Sequence, residues 1–287
     1  MTKTLGGIEE MMLARRTFAK LSRSVGLVAT MGALHDGHIS LIERAAATSD
    51  EVVVSIFVNP LQFGNEDDFQ LYPRQIEHDL ELARKAGATV VFAPSEQQMF
   101  PLGRPSITVD PGPYGELLEG IARPGHMRGV ATIVTKLFNI VRPERAFFGE
   151  KDFEQLTLVR HLVEDLGFCI EIIGMPIMRE PDGLAMSSRN RRLSDSERIQ
   201  ARVLYRAITR GAQAIEEGCE DLGDLEREMA AIVASEPGVA LDYATARQSN
   251  DLSVPVLLEG SLRLLIAADV GQVRLIDSLA IEHSQGR

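Results

Sequence analysis

Residues 25–58 hold the pattern that most constrains the fold. Val25-Gly26-Leu27-Val28-Ala29-Thr30 reads as a short buried strand. A glycine-containing turn follows, and from about residue 38 to 48 Ile39, Ile42 and Ala46 line one stripe of a helix. Val52-Val53-Val54-Ser55-Ile56-Phe57-Val58 is then a continuous apolar run closed by Asn59-Pro60. Strand, helix, strand in this order predicts a βαβ unit, in which two parallel strands are joined by a right-handed crossover.

The alternation continues beyond that unit. A helix is predicted over 76–86 and a strand over 89–92. The Pro/Gly-rich stretch 101–115 reads as an ordered loop with one short strand at 107–109. A helix over 127–141 ends at Pro143, a strand at 145–148 runs into Gly149, a further helix reaches about Leu166, and a strand follows at 169–173. This is an α/β fold, a Rossmann-like doubly wound parallel sheet. After about residue 178 the grammar changes. A basic loop gives way to helices over 195–217 and 222–235, then to strands near 240–246, 262–267 and 273–276 with no helix between the last two. Two domains are therefore expected, 1–177 and a smaller α+β domain, 178–287.

Composition limits the function. Among 287 residues, 30 Lys and Arg stand against 41 Asp and Glu, a net charge of −11. Such a chain repels nucleic-acid backbones overall, so no nucleic-acid partner is expected. Trp is absent and aromatics reach only 5%, so the core must rest on Leu, Ile, Val, Ala and Met. Cys169, in the apolar run Phe168-Cys169-Ile170, is expected to be a buried free thiol. Cys219 lies among Glu216, Glu217 and Glu220, which disfavours a thiolate. There is no disulfide framework or zinc spacing. Met1-Thr2-Lys3-Thr4-Leu5 lacks the apolar stretch of a signal peptide, and no run reaches the roughly 20 apolar residues of a membrane span. No membrane partner and a cytoplasmic location are expected.

Three segments carry chemistry. Thr30-Met31-Gly32-Ala33-Leu34-His35-Asp36-Gly37-His38 stands at the carboxyl end of the first strand, where open α/β sheets bind ligands. Gly32 permits close backbone approach, and His35 and His38 fall one turn apart at a helix start, whose free N–H groups favour a phosphate. Phe148-Gly149-Glu150-Lys151-Asp152 is a second strand-to-helix turn, in which Lys151 would present a mobile ammonium to phosphate oxygens. Met186-Ser187-Ser188-Arg189-Asn190-Arg191-Arg192, with Gly183 upstream, pairs hydroxyls with arginines. It reads equally as an anion clamp, a basic solvated loop or an RNA-binding patch. His161 and His283 are read as surface or packing residues.

Together these segments resemble the pantothenate synthetase family, within the nucleotidyltransferases marked by a His-x-Gly-His turn and a Lys-Met-Ser-Lys-Ser-like loop. The resemblance also takes in Ser55 to Pro60 with Gln62-Phe63-Gly64, Tyr72-Pro73-Arg74, Arg123-Pro124-Gly125-His126, Phe147 to Asp152 with Gln155, and Asp182 to Asn190. It covers most of the chain and is looser over the last hundred residues. What it implies is an ATP-dependent ligase that joins pantoate to β-alanine through a pantoyl adenylate, giving pantothenate, AMP and pyrophosphate. ATP is a substrate, Mg2+ an expected cofactor and a homodimer the expected assembly. By the same resemblance the first domain binds ATP and pantoate, and the second is a lid carrying the Met186-Ser187-Ser188-Arg189 loop. The expected ATP-site residues are Met31, Gly32, Ala33, Leu34, His35, Asp36, Gly37, His38, Gly149, Glu150, Lys151, Asp152, Met178, Met186, Ser187, Ser188 and Arg189. His38 is the family's catalytic histidine, and His35, Lys151 and Arg189 are expected to share the charge of the transition state with it. Gln62 and Gln155 would hold pantoate, and Gln62 would also border β-alanine. Arg123 and His126 fall near the active site.

Two departures from the family pattern matter. Ala29 stands where the family usually has Pro, a change worth a few tenths to about 1 kcal/mol through the unfolded chain. In Ile76-Glu77-His78-Asp79, His78 replaces one of two adjacent acidic residues that the family places near magnesium. Imidazole is a poor magnesium ligand, so Asp79, water and the phosphates are expected to hold the metal. Two rivals remain: a transferase that keeps the nucleotide on its product, which the two glutamines argue against, and an RNA-binding module, which the acidity opposes.

Overall fold

A computed structural model describes residues 2–64 and 69–283 of the chain. They divide into two compact units, Met1–Gly149 with Glu154–Met175, and Glu150–Phe153 with Pro176–Arg287. The second unit thus takes in a four-residue segment that the sequence pattern assigns to the first domain, and that segment contains Lys151.

In the first unit, β1 (Lys3–Leu5), β2 (Val25–Thr30), β3 (Glu51–Ile56), β4 (Val90–Phe92), β5 (Arg145–Gly149) and β6 (Glu171–Met175) form a parallel sheet in the order β1-β4-β3-β2-β5-β6. From β2 the chain runs outward through β3 and β4, then returns to set β5 on the other side of β2. The order therefore reverses between β2 and β5, the point at which a doubly wound sheet opens a crevice at its strand ends. Both strands lead, at their carboxyl ends, into a turn singled out from the sequence. The near-continuous apolar runs of β2 and β3 follow from burial on both faces.

Helix α1 (Ile8–Lys20), not anticipated from the sequence, buries Met11 and Phe18, and α2 (Asp36–Thr48) buries Leu41, Ile42 and Ala45. Ile42 and Ala45, with Val28, Val54 and Phe147, belong to a core completed by Ala83 of α3 (Ile76–Lys85). Helix α4 (His126–Val141) buries Val130, Val134, Leu137, Phe138 and Val141, and α1 packs against it. Each such large apolar side chain contributes roughly 1.5–3 kcal/mol. The strand expected at 107–109 does not form. Ile107 is 87% exposed, and the Val109 N–H donates to Thr132 Oγ1 at 3.0 Å. Without a partner ladder three residues cannot satisfy a strand's backbone groups. Cys169 is exposed rather than buried. β6 begins at Glu171, so the thiol lies in the preceding loop and Phe168 turns inward instead, its ring 5.6 Å from that of Phe138.

The second unit sets α6 (Asp195–Ala201), α7 (Val203–Glu216) and α8 (Leu222–Ala234) with an antiparallel sheet of β7 (Val239–Gln248), β8 (Gly260–Val270) and β9 (Val273–His283), in the order β7-β8-β9; α5 (Phe153–Asp165) stands between β5 and β6 in the chain. Leu204, Ile208 and Ile215 meet Leu225, Met229, Leu262, Leu264 and Ile266 in its core. The single helix expected over 195–217 is interrupted at Arg202, which keeps αR geometry. β8 and β9 run well past the apolar stretches that announce them. Asp269, Arg274, Asp277 and Ser278 are paired strand residues, although their side chains read as turn formers. Among the described residues no helix is long and apolar enough to cross a membrane.

Candidate active site

The turn leaving β2 is built around a buried carboxylate. Thr30 Oγ1 donates to Ser55 O at 2.8 Å and accepts from the Gly32 N–H at 3.2 Å. Gly32 and Ala33 then take left-handed backbone, at φ +83° and +51°. Gly32 has no substitute here, because a Cβ would stand 2.9 Å from Asp79 Oδ2 and 3.1 Å from Ile56 Cγ2. Asp79, on α3 and 1% exposed, accepts from the Ala33 N–H at 2.9 Å through Oδ2 and from the Leu34 N–H at 2.8 Å through Oδ1. Leu34 is buried in the core, so the turn is pinned at both ends.

His35 is the N-cap of α2, and Asp36, Gly37 and His38 fill its first turn. His38 Nδ1 accepts from the His35 N–H at 3.4 Å, and the two rings lie 4.1 Å apart between centroids. In the neutral ring this acceptor role puts the proton on Nε2. Beside the turn is a cavity of about 400 Å³ in the first unit, lined in part by Met31, Gly32, Phe57, Arg74, Asp79 and Pro94.

After β3, the 3₁₀ turn Pro60–Gln62 is held by Asn59, whose role is not legible from the sequence alone. Asn59 Oδ1 accepts from the Leu61 N–H at 3.2 Å, and Nδ2 donates to Gln62 Oε1 at 2.9 Å and to Gly129 O at 3.1 Å. This fixes the Gln62 amide with its Nε2 group as the donor. Arg123 and His126 meet the same residue from the other side, where Arg123 Nη2 and His126 Nδ1 lie 3.2 and 2.9 Å from the Gln62 carbonyl oxygen. Helix α4 approaches so closely that a Cβ on Gly129 would stand 2.2 Å from Leu61 O. Gly129→Ala is accordingly expected to destabilise the protein by about 1–3 kcal/mol, read as a lower denaturant midpoint. An unchanged midpoint would mean that the Asn59–Gln62 turn shifts freely. Gln155 is half-buried in the first turn of α5.

In the second unit, Glu150–Asp152 forms a 3₁₀ turn, and Lys151 is half-buried with Nζ 3.5 Å from Asp152 Oδ2. Residues 178–186 form a tight hairpin. The Met186 N–H donates to Met178 O at 2.9 Å, Arg179 bridges Ala185, and Gly183 turns the chain at φ +92° over the Tyr205 ring. Ser187 then caps the 3₁₀ segment Ser188–Arg192, its Oγ accepting from the Arg189 N–H at 3.2 Å. Asn190 Nδ2 donates to Ala185 O at 3.0 Å and to Glu180 Oε1 at 3.2 Å, which folds the loop onto its own hairpin. Met178 and Met186 thus close one hairpin and Ser187, Ser188 and Arg189 open the 3₁₀ segment that follows it, while His35 and His38 belong to the first unit and Lys151 to the second.

Among the described residues no group of three His, Cys, Asp or Glu is placed to hold a metal, and each Asp79 oxygen is already taken by a backbone N–H.

Residues 3–280 match the family described as pantoate-beta-alanine ligase. A pantothenate synthetase from Salinispora arenicola is 49% identical over 262 residues, 91% of this chain and 92% of the relative. The crystal structure of pantothenate synthetase from Thermus thermophilus superimposes with a TM-score of 0.90 at 40% identity, covering 97% of this chain and 99% of that one. The pantoate-beta-alanine ligase of Francisella tularensis, solved with beta-gamma ATP and beta-alanine, gives 0.81 at 34% identity, with 97% of each chain covered.

Proposed function

The chain belongs to the pantoate-beta-alanine ligase family, and on that premise we propose that it joins pantoate to β-alanine in two steps. A carboxylate resists direct attack by an amine because its leaving group would be oxide. In the first step a pantoate carboxylate oxygen bonds to the α-phosphorus of ATP, the α–β phosphoanhydride bond breaks, and pyrophosphate leaves with the electron pair. In the second the amine of β-alanine bonds to the acyl carbon, AMP leaves, and the nitrogen gives up a proton. Positioning and charge stabilisation carry such chemistry.

The observation that carries the reading is the β2–α2 turn. Asp79 spends its two oxygens on the Ala33 and Leu34 amides, so the helix start is pre-formed with His38 in its first turn. Met31, Gly32, Ala33, Leu34, His35, Asp36 and Gly37 would line ATP with their backbone, and His35 and His38 would donate to the phosphates. Lys151 and Arg189 would supply positive charge and Ser187 and Ser188 hydroxyl donors, with Gly149, Glu150, Asp152, Met178 and Met186 beside the nucleotide. Gln62 and Gln155 would bind pantoate as neutral amides, leaving its carboxylate nucleophilic, and Gln62 would border β-alanine. The ATP analogue and β-alanine in the Francisella tularensis structure support this substrate pair. Magnesium enters as the counter-ion of the ATP phosphates, and no step above runs through it. A homodimer in the cytoplasm is the assembly and location that the family likeness suggests.

The test is to incubate the protein with ATP, Mg2+, pantoate and β-alanine and to quantify AMP and pantothenate, which should form one for one. Leaving out β-alanine should yield a single equivalent of pyrophosphate per site, with the adenylate retained. A stable nucleotide conjugate and no amide would assign the chain to the nucleotide-keeping transferases instead.

A further inference from the structure

Arg263 is 3% exposed on β8, in the second unit, and its guanidinium is held through Nε and Nη2. Nη2 donates to Glu150 O at 3.1 Å and to Glu150 Oε2 at 2.9 Å, Nε donates to Ser278 Oγ at 3.1 Å, and the group lies 4.1 Å over the Phe153 ring. Buried Ser278 donates to the same Glu150 carbonyl at 2.8 Å. That carbonyl belongs to the peptide plane that enters Lys151, so two donors fix the orientation from which the lysine side chain departs. The preceding residue on β9, Asp277, serves the other loop. Arg179 donates to Asp277 Oδ2 at 2.6 Å and Oδ1 at 3.0 Å, to Ser278 O at 3.2 Å and to Gly183 O at 3.1 Å, and stacks 4.2 Å over Tyr205. Burial pushes the Asp277 carboxyl up, while Arg179, the Ser278 N–H and Lys151 pull it back.

We propose that Arg263 and Ser278 are positioning residues that aim Lys151, and that adjacent residues of β9 tie the Lys151 turn and the Met178–Met186 hairpin to one strand. A buried arginine commonly stabilises no better than an apolar residue of its size, so the gain lies in its geometry. Lysine carries a point charge on a four-carbon stem and is aimed only as well as its backbone is held. The inference rests on the reading that Lys151 acts on the phosphates.

The experiment is a double-mutant cycle on the single-turnover rate of pyrophosphate release from ATP and pantoate. Ser278→Ala is expected to slow that step about tenfold with the ATP KM little changed, and Arg263→Lys, which keeps the charge but loses the fork, to do likewise. In a Lys151→Ala background both should become nearly silent. Equal losses in the two backgrounds would mark a general structural effect and overturn the proposal, as would an unaltered rate in both single variants. Full activity of Lys151→Ala alone would remove the underlying reading of Lys151, and this inference with it.

Discussion

Replacing Lys151 with alanine is expected to lower kcat for pantothenate formation by about 10²-fold or more, with a much smaller change in the KM for ATP, and His38→Ala is expected to do the same. The split between the two constants follows from where charge grows. Attack on the α-phosphorus spreads negative charge over phosphoryl oxygens and the departing pyrophosphate, so a cation or N–H donor contributes more at the transition state than in the bound ground state. Lys151 is suited to this. Its turn is locked by Arg263 and Ser278, yet its ammonium lies 3.5 Å from Asp152, too far for a strong ion pair, and can swing to a phosphate. His38 is suited for a different reason. Its Nδ1 is engaged by the His35 N–H, so the neutral ring offers Nε2–H without needing protonation. Steady-state kinetics with single-turnover adenylation separate the two constants. Wild-type turnover in both variants would dismiss these residues from the chemistry.

Asp79→Asn is the second substitution with a large expected effect, again about 10²-fold in kcat. Asparagine matches the aspartate in shape but replaces one acceptor oxygen with an NH2 donor, which would face the N–H of Ala33 or Leu34. One buried amide then loses its partner, at a cost of about 1–3 kcal/mol. The turn carries left-handed residues at 32 and 33, so it relaxes and takes the histidine-bearing start of α2 with it. The prediction separates two roles. If Asp79 holds the turn, the Mg2+ concentration for half-maximal activity stays where it is in the parent protein while kcat falls. If Asp79 were instead the protein's magnesium ligand, the variant would need far more Mg2+ and recover at saturation.

The parallel sheet was legible in the sequence because β2 and β3 are buried on both faces and announce themselves as unbroken apolar runs. The turns were legible for a related reason, since glycines and histidines at a strand-to-helix junction have few structural uses. What escaped depends on distant partners. β1 is three residues whose strand character comes from pairing with β4. The reach of β8 and β9 was hidden by charged and hydroxyl residues, and the partner that accounts for buried Ser278 sits 128 positions away at Glu150. The burial of Asp79 was hidden for the same reason, because nothing local reveals that two amides 45 and 46 residues earlier close over it. Lys151 was placed with the first domain by its neighbours in the chain, whereas its packing belongs with β9.

An acyl adenylate at the centre of the reaction can be tested by following oxygen. Pantoate carrying 18O in both carboxylate positions should, in one turnover with ATP and β-alanine, deliver one labelled atom to the phosphate of AMP and keep the other in the amide carbonyl of pantothenate. AMP free of label, or label recovered in inorganic phosphate alongside ADP, would contradict attack of the carboxylate on the α-phosphorus.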